Sequence, residues 1–236
     1  MEPLISQLKA NLEERLEVCA RLIQKGVAIL DPATTYIDPQ AEVSEGSEIL
    51  PNTSIHGKSR IGKGCEIGPN TIIRDSTIAS GCRVLASVIE GSVLEDGVDV
   101  GPFSHLRPGA YLEAGVHIGN FVEVKQARLG RGTKVGHFSY IGDATVGREV
   151  NIGAGTITCN YDGQDKHQTT IEDGAFIGSD TMLIAPVRVG KKGRTGAGAV
   201  VTRDVPEGAL VVGMPARRTR AIPTKGKSGA RRTNSG

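Results

Sequence analysis

Aliphatic residues return along the chain at a step of six. Ile37, Val43, Ile49, Ile55, Ile61, Ile67 and Ile73 follow one another without a miss, and the step resumes at Leu94, Val100, Leu106, Leu112, Ile118 and Val124. It slips by one residue to Leu129, Val135 and Ile141, slips again to Val146 and Ile152, and returns at Ile171, Ile177, Leu183 and Val189. The next residue is often glycine, as at Gly62, Gly68, Gly119, Gly136, Gly153 and Gly178. A six-residue unit is too short for a helical repeat and suits one short strand plus a turn. The aliphatic residue points inward, and glycine follows where the backbone needs little bulk or an unusual dihedral. The pattern therefore predicts an all-β fold, a parallel β-helix of hexapeptide repeats in which three units make a triangular coil of about 18 residues. Residues 37 to 205 would form about nine coils, stacked at roughly 4.8 Å into a prism of about 45 Å. The period does not fix the handedness, and the general crossover rule favours a right-handed coil.

Residues 1 to 27 follow another rhythm. Leu4, Leu8, Leu12, Leu16, Cys19 and Ile23 recur at steps of three and four among Glu, Gln, Lys and Arg. That spacing predicts an amphipathic helix with one apolar stripe, ending near Gly26. Such a helix either caps the open end of the prism or docks a partner or sister subunits. The chain thus divides into a helix and linker (1–36), a β-helix (37–216) and a tail (217–236).

Composition agrees with a prism. The 236 residues include 32 glycines, about twice the usual share, and aromatics make up only 3% with no Trp. A domain with one central core leans on aromatic side chains, whereas a narrow column of Ile, Val and Leu does not need them. Net charge is +2, but no acidic residue follows Glu207, and seven basic residues from Arg217 to Arg232 lie in the tail. The body then holds 21 basic against 26 acidic residues, a balance that argues against a nucleic-acid binder. The tail reads as disordered and solubilising. No apolar run of membrane-spanning length and no leader sequence occurs, and the four cysteines (Cys19, Cys65, Cys82, Cys159) are scattered without a CxxC pair. Together these predict a cytoplasmic protein with reduced thiols and no membrane partner.

The coil length places side chains above one another. Arg107 and Lys125 are one coil apart, each next to an inward aliphatic, and form a two-rung cationic ladder. Like charges at that spacing repel unless an anion joins them, most naturally a phosphate; the alternative is a pair of solvated cations beside Glu123. A second column holds Asn120, His137 and Ala154, each two residues past its inward aliphatic. Tyr140 lies three residues beyond His137, at the corner leading to the cationic ladder. His137 beside an anion site is a candidate general base. The other histidines (His56, His105, His117, His167) show no ligand spacing, so no metal is expected. The repeat breaks after Ile157 and restarts only at Ile171, which extrudes about seven residues as a loop with a turn at Asp162-Gly163. A loop there is either a cleft wall or a tolerated insertion.

Several stretches together resemble one known family. They are Leu106-Arg107-Pro108-Gly109-Ala110, Gly119-Asn120-Phe121-Val122-Glu123-Val124-Lys125, Gly136-His137-Phe138-Ser139-Tyr140-Ile141-Gly142-Asp143, the long run from Asn151 to Gly163, and Gly178-Ser179-Asp180-Thr181. They resemble the C-terminal acetyltransferase half of the bacterial bifunctional N-acetylglucosamine-1-phosphate uridyltransferase/glucosamine-1-phosphate acetyltransferase, near-continuously from about 100 to 205. The resemblance implies a left-handed β-helix assembled as a homotrimer, and transfer of acetyl from acetyl-CoA to the amine of glucosamine 1-phosphate. The product would feed UDP-N-acetylglucosamine biosynthesis for the cell wall. By the same resemblance His137 is the base, and Arg107, Lys125 and Tyr140 contact the sugar phosphate, with Asn151 on the hexose. Ala154, Asn160, Tyr161, Ser179 and Ala197 match acetyl-CoA positions. A neutral amine attacking a thioester needs a base and a donor for the developing oxyanion, and the Ala154 N–H, one coil above His137, is the candidate donor. Cys159 has no nucleophilic role in such a transfer.

The sequence departs from the family in two places. No Gly-rich nucleotide loop precedes the helix, so uridyl transfer would fall to a separate protein or to a half excised from this one. Gly213-Met214-Pro215 stands where the family places a basic residue before a late proline, and Arg217 and Arg218 follow closely. Two other readings remain at this stage: a hexapeptide-repeat acyltransferase for another amino sugar, and a non-catalytic trimeric assembly module.

Overall fold

The structure, a computed structural model, describes residues 2–221. A helix, Glu2–Gln24, leads into short strands that wind into a three-faced prism. Face one stacks strands from Ala28–Ile29 and Glu48–Ile49 up to Arg194–Thr195 and Ala209–Gly213. Face two runs from Tyr36–Ile37 through His105–Leu106 and Met182–Ile184 to Val200–Val201, and face three from Glu42–Val43 through Tyr111–Leu112 to Val187–Val189. Neighbouring strands pair in parallel throughout the coils. Strands Glu123–Leu129 and Tyr140–Val146 run straight through the corner between faces two and three and join them into one sheet of seventeen strands. The fold is a left-handed parallel β-helix of hexapeptide repeats with an N-terminal helix.

The interior is the aliphatic column that the six-residue step predicts. Ile49, Ile55, Ile61, Ile67, Ile73, Leu94, Leu106, Leu112, Ile118 and Leu129 are all fully buried, and no aromatic ring is among them. Where the step lapses, between Ile73 and Leu94, the column continues through Ile78, Val84 and Ile89. Three units there have five residues instead of six, which hides the period from a fixed step. Coil length varies accordingly: Ile49 pairs with Ile67, Val84 with Val100 and Ile118 with Val135. Glycine after the inward residue reflects close approach of rungs. A Cβ on Gly153 would lie 2.5 Å from Ser179 N. Corner polar groups are satisfied across rungs: the Ser104 hydroxyl donates to Gly119 O at 2.6 Å and accepts from Val122 N–H at 2.9 Å.

Three expectations shift. The stacked strands begin at Ala28–Ile29, inside the stretch read as helix and linker, and the prism has about ten turns. Ile29 pairs with Ile49 across twenty residues, off the six-residue grid. The helix docks through Val18, Cys19 and Leu22, which are buried, while Leu4, Leu12, Leu16 and Ile23 are exposed. Of the leucine-rich stripe only Cys19 is buried among the residues whose side chains are described, because the buried face is rotated and only the C-terminal half of the helix meets the first coil. Arg15 anchors it, donating to Ala33 O at 3.1 Å and lying over the Tyr36 ring. At the other end, residues 216–221 pair back antiparallel on Ala209–Gly213, so the tail begins as a strand; residues 222–236, where disorder was expected, lie outside the described residues. The four cysteines are free. No described helix is long and apolar enough to cross a membrane.

Candidate active site

Face two carries the cationic ladder. Leu106 and Val124 are in register, which stands Arg107 and Lys125 one rung apart. The Arg107 Nη1–H donates to Glu123 Oε1 at 2.8 Å, and that carboxylate holds the guanidinium above its usual pKa. Lys125 has the opposite environment: Lys166 first, then Arg107, push its ammonium below the usual lysine range. Gly142 occupies the rung above Lys125, so the ladder stops at two rungs and the extruded loop brings the third cation. Three converging cations are repelled from one another unless a polyanion joins them.

The loop is held in shape by its own turn. Tyr161 and Lys166 pair antiparallel, and the Asp162 carboxylate accepts from the Gln164 and Asp165 N–H groups at 2.8 Å and meets His167 Nε2 at 2.7 Å. Those contacts, His167 foremost, hold the Asp162 carboxyl below the usual carboxylate range. Ile152 pairs with Ile177 across the loop, so the repeat re-enters in register. Thr158 takes the inward place in that coil, buried, with its hydroxyl accepting from Gly142 N–H at 2.8 Å and donating to Gly142 O at 2.9 Å. Asn160 is buried; its Nδ2 donates to the Tyr140 hydroxyl at 3.3 Å and to Asp143 Oδ2. Burial pushes the Cys159 thiol pKa up, which makes it a poor nucleophile.

Face one meets face two at a corner, and the histidine column stands there. Asn120 and His137 are direct register partners, and Gly155 N–H donates to His137 O at 3.3 Å, which sets Ala154 over His137. The column continues upward. Ala154, Ser179 and Ala197 each lie two residues past Ile152, Ile177 and Thr195, and Asp180 N–H donates to Ala154 O at 2.7 Å while Gly198 N–H donates to Ser179 O at 2.8 Å. The Gly153 N–H is taken by Ile177 O and the Gly155 N–H by His137 O; between them the Ala154 N–H makes no main-chain bond among the described residues. His137 is exposed, and its Nδ1 meets Asn120 Oδ1.

Most of the residues named from sequence therefore fall into two groups, one on face two and one at its corner with face one. Arg107, Lys125, Tyr140 and Asn160 gather on face two. Asn120, His137, Ala154, Ser179 and Ala197 form the corner column. Asn151 stands apart, exposed on face one over Lys134 and three positions upstream of the column. Tyr161 is exposed on the loop, its hydroxyl donating to Gly163 O at 2.7 Å. Two features were missed. Lys166 sits in a stretch without period, where spacing predicts nothing. Phe103, Phe121 and Phe138 stack along the same corner, centroids 5.5 and 5.1 Å apart and each at least half exposed. Their spacing of one coil is legible in the sequence. They flank a groove of about 420 Å³ that also touches His105, Glu123 and Tyr140. Among the described residues no cluster of three or more His, Cys, Asp or Glu could hold a metal ion.

Residues 66–147 match the family described as GlmU-like, C-terminal hexapeptide. The bifunctional protein GlmU of Thermosipho africanus is 50% identical over 209 residues, covering 89% of this chain and 46% of that protein. Those of Thermotoga maritima and Carboxydothermus hydrogenoformans are 52% and 54% identical, over 86% and 81% of this chain and 46% and 43% of their own lengths. The chain thus spans about half the length of the curated relatives it matches. An Arabidopsis UDP-N-acetylglucosamine acyltransferase has the same fold, with a TM-score of 0.69 at 14% identity over 80% of this chain and 73% of that one. By sequence, the chain is a relative of the C-terminal, hexapeptide-repeat half of the bifunctional GlmU proteins.

Proposed function

We propose that this chain transfers acetyl from acetyl-CoA to the amine of glucosamine 1-phosphate, on the edge where faces one and two meet. The observation that carries the reading is that one face presents both columns, one along each edge. Arg107, Lys125 and Lys166 concentrate positive charge where a sugar phosphate would bind, and His137 stands at the other edge of the same face, three residues before Tyr140, as the candidate base. In the reaction the amine nitrogen attacks the thioester carbonyl as His137 removes its proton. The tetrahedral oxyanion takes a hydrogen bond from the Ala154 N–H; as it collapses the C–S bond breaks and His137 returns the proton to the sulfur, so that CoA leaves as the thiol. Ser179 and Ala197, small residues above Ala154 on the same column, leave the corner flat enough for the CoA arm to lie along the prism axis, with Asn160 and Tyr161 at its side. Asn151 would meet the hexose from a neighbouring surface.

A lone chain offers only an open ridge for this chemistry. The exposed phenylalanine stack and the groove beside it supply an apolar edge for a second copy, and the reading therefore includes a homotrimer with one site between each pair of subunits. The uridyltransferase step that would carry the product on to UDP-N-acetylglucosamine belongs to sequence outside this chain's match. Such a step, like acetyl-CoA supply, places the reaction in the cytoplasm.

The direct test is release of free CoA thiol from acetyl-CoA in the presence of glucosamine 1-phosphate. His137→Ala is expected to lower turnover by about 10² to 10⁴ with little change in acetyl-CoA affinity. Full activity in that variant would remove the base assignment. Equal rates with glucosamine and glucosamine 1-phosphate would remove the phosphate from the substrate.

A further inference from the structure

The five histidines divide by partner. His56, His105, His117 and His167 each face a carboxylate: Asp38 at 3.4 Å, Glu90 at 2.9 Å, Asp99 at 2.8 Å and Asp162 at 2.7 Å. His137 faces an amide instead, its Nδ1 against Asn120 Oδ1. Asp38 and Asp99 stand one coil below their histidines, as Asn120 stands one coil below His137. At two of the four the position one coil below the histidine thus holds an acid, and at the candidate site that position holds the neutral amide of similar shape.

That difference has a chemical consequence. A carboxylate beside an imidazole stabilises the imidazolium, raises its pKa and removes the lone pair a base needs. An amide oxygen accepts the Nδ1–H without adding charge, and a neutral imidazole bonded in this way carries its lone pair on Nε2. The backbone keeps the two side chains together: Phe138 N–H donates to Asn120 O at 3.1 Å, and the Ser139 hydroxyl donates to His137 O at 2.9 Å. The column around the ring adds no charge of its own, with Asn120 below, Ala154 above and no charged residue from Val150 to Thr158. The titratable groups on the rungs packed against it are His117 and Glu123 below, and Lys134 and Tyr140 on its own rung. Of these, His117 is paired with Asp99 and Glu123 with Arg107.

The geometry points to Asn120 as a positioning residue that holds the His137 ring in the Nδ1–H tautomer, with Nε2 presented to the substrate amine. This rests on His137 being the base of the proposed transfer, but the state of the ring is measurable without any substrate. Imidazole ¹⁵N spectra of the whole protein, with His137→Gln to assign the resonance, are expected to show the Nδ1–H tautomer. In Asn120→Leu the Nε2–H tautomer should gain, and kcat should fall about tenfold while KM for the sugar phosphate stays within about twofold. In Asn120→Asp the imidazole titration and the acid limb of the rate profile should both move up by about one pH unit, with activity returning in alkaline buffer. The assignment is overturned if wild-type His137 carries its proton on Nε2. It is equally overturned if Asn120→Leu leaves tautomer and kcat unchanged, or if Asn120→Asp depresses the rate at every pH without moving the titration. A protein that shows the expected tautomer but acetylates no amino sugar would instead sink the functional reading and leave the positioning of His137 intact.

Discussion

Faces two and three share one interior and differ entirely outside. On face three the outward column reads Arg60, Thr77, Val93, Tyr111, Arg128, Thr145, Thr170, Arg188, and its charges are answered within the chain. Arg60 pairs with Glu42, Arg128 with Glu113 while lying 4.2 Å over the Tyr111 ring, and Arg188 with Glu172. Face two reads Ile72, Val88, His105, Glu123, Tyr140, Ile157, Met182, Val200, with the phenylalanine stack along one edge and the Lys125–Lys166 pair along the other. Apolar surface and repelling cations are both unfavourable in water. A face that carries both is incomplete without a partner for one and an anion for the other. Face three is complete as it stands.

The contrast can be broken most severely at the apolar edge. Phe121→Glu places a charge in the middle of the stack; sedimentation should then find monomers, against the trimer expected of the unaltered protein, with transfer activity lost alongside. A matching charge on face three, Thr145→Glu, should leave both readouts unchanged. The shared interior predicts the reverse behaviour. Ile141→Ala behind face two and Leu129→Ala behind face three remove similar buried volume, and chemical denaturation should show each losing about 3 kcal/mol. Unequal losses would mean that the outer faces contribute to the stability of the coils beneath them.

Charge removal gives a smaller separation. Arg107→Ala with Lys125→Ala should raise KM for the sugar phosphate by about thirtyfold, since charge-assisted hydrogen bonds to the phosphate are lost. Arg128→Ala with Arg188→Ala on face three should leave kinetics unaltered and thermal stability nearly so, as exposed ion pairs contribute little. The smallest effect concerns the loop. Asp162 is held below its ordinary pKa in the folded protein, so its contribution to loop order is present above the usual aspartate range and lost as pH falls through the depressed value. Amide exchange of residues 160–167 should therefore quicken in strong acid while the coils above and below stay protected.

Much of this was legible from spacing because a solenoid converts sequence distance directly into height. One coil length was enough to stack Arg107 over Lys125 and Ala154 over His137, without any long-range inference. Legibility failed where the period did. The shortened units between Ile73 and Leu94 hid three core residues, and the twenty-residue first turn hid Ile29. The helix misled for a different reason: a leucine stripe marks the most apolar face, whereas docking was decided by how the chain turns at Gly26 onto the first coil. Lys166 was invisible because its approach to Lys125 depends on an Asx-type turn and one antiparallel bridge rather than on any repeat. Asn151 has a defined rung but belongs to face one, away from the cationic strip, which the spacing alone does not reveal.

The loop between Ile157 and Ile171 has a wider consequence. Ile152 still pairs with Ile177, so an excursion of one whole loop is absorbed between two consecutive rungs without phase error. Elsewhere coils are shortened by a residue or two, and the stack again closes without shear. The prism behaves like a grating whose lines keep their pitch whatever is hung between them. Each rung can exchange its outward side chains, or sprout a new wall, independently of the others. A single row of aliphatic residues can in this way carry successive sites of unrelated chemistry at a fixed separation.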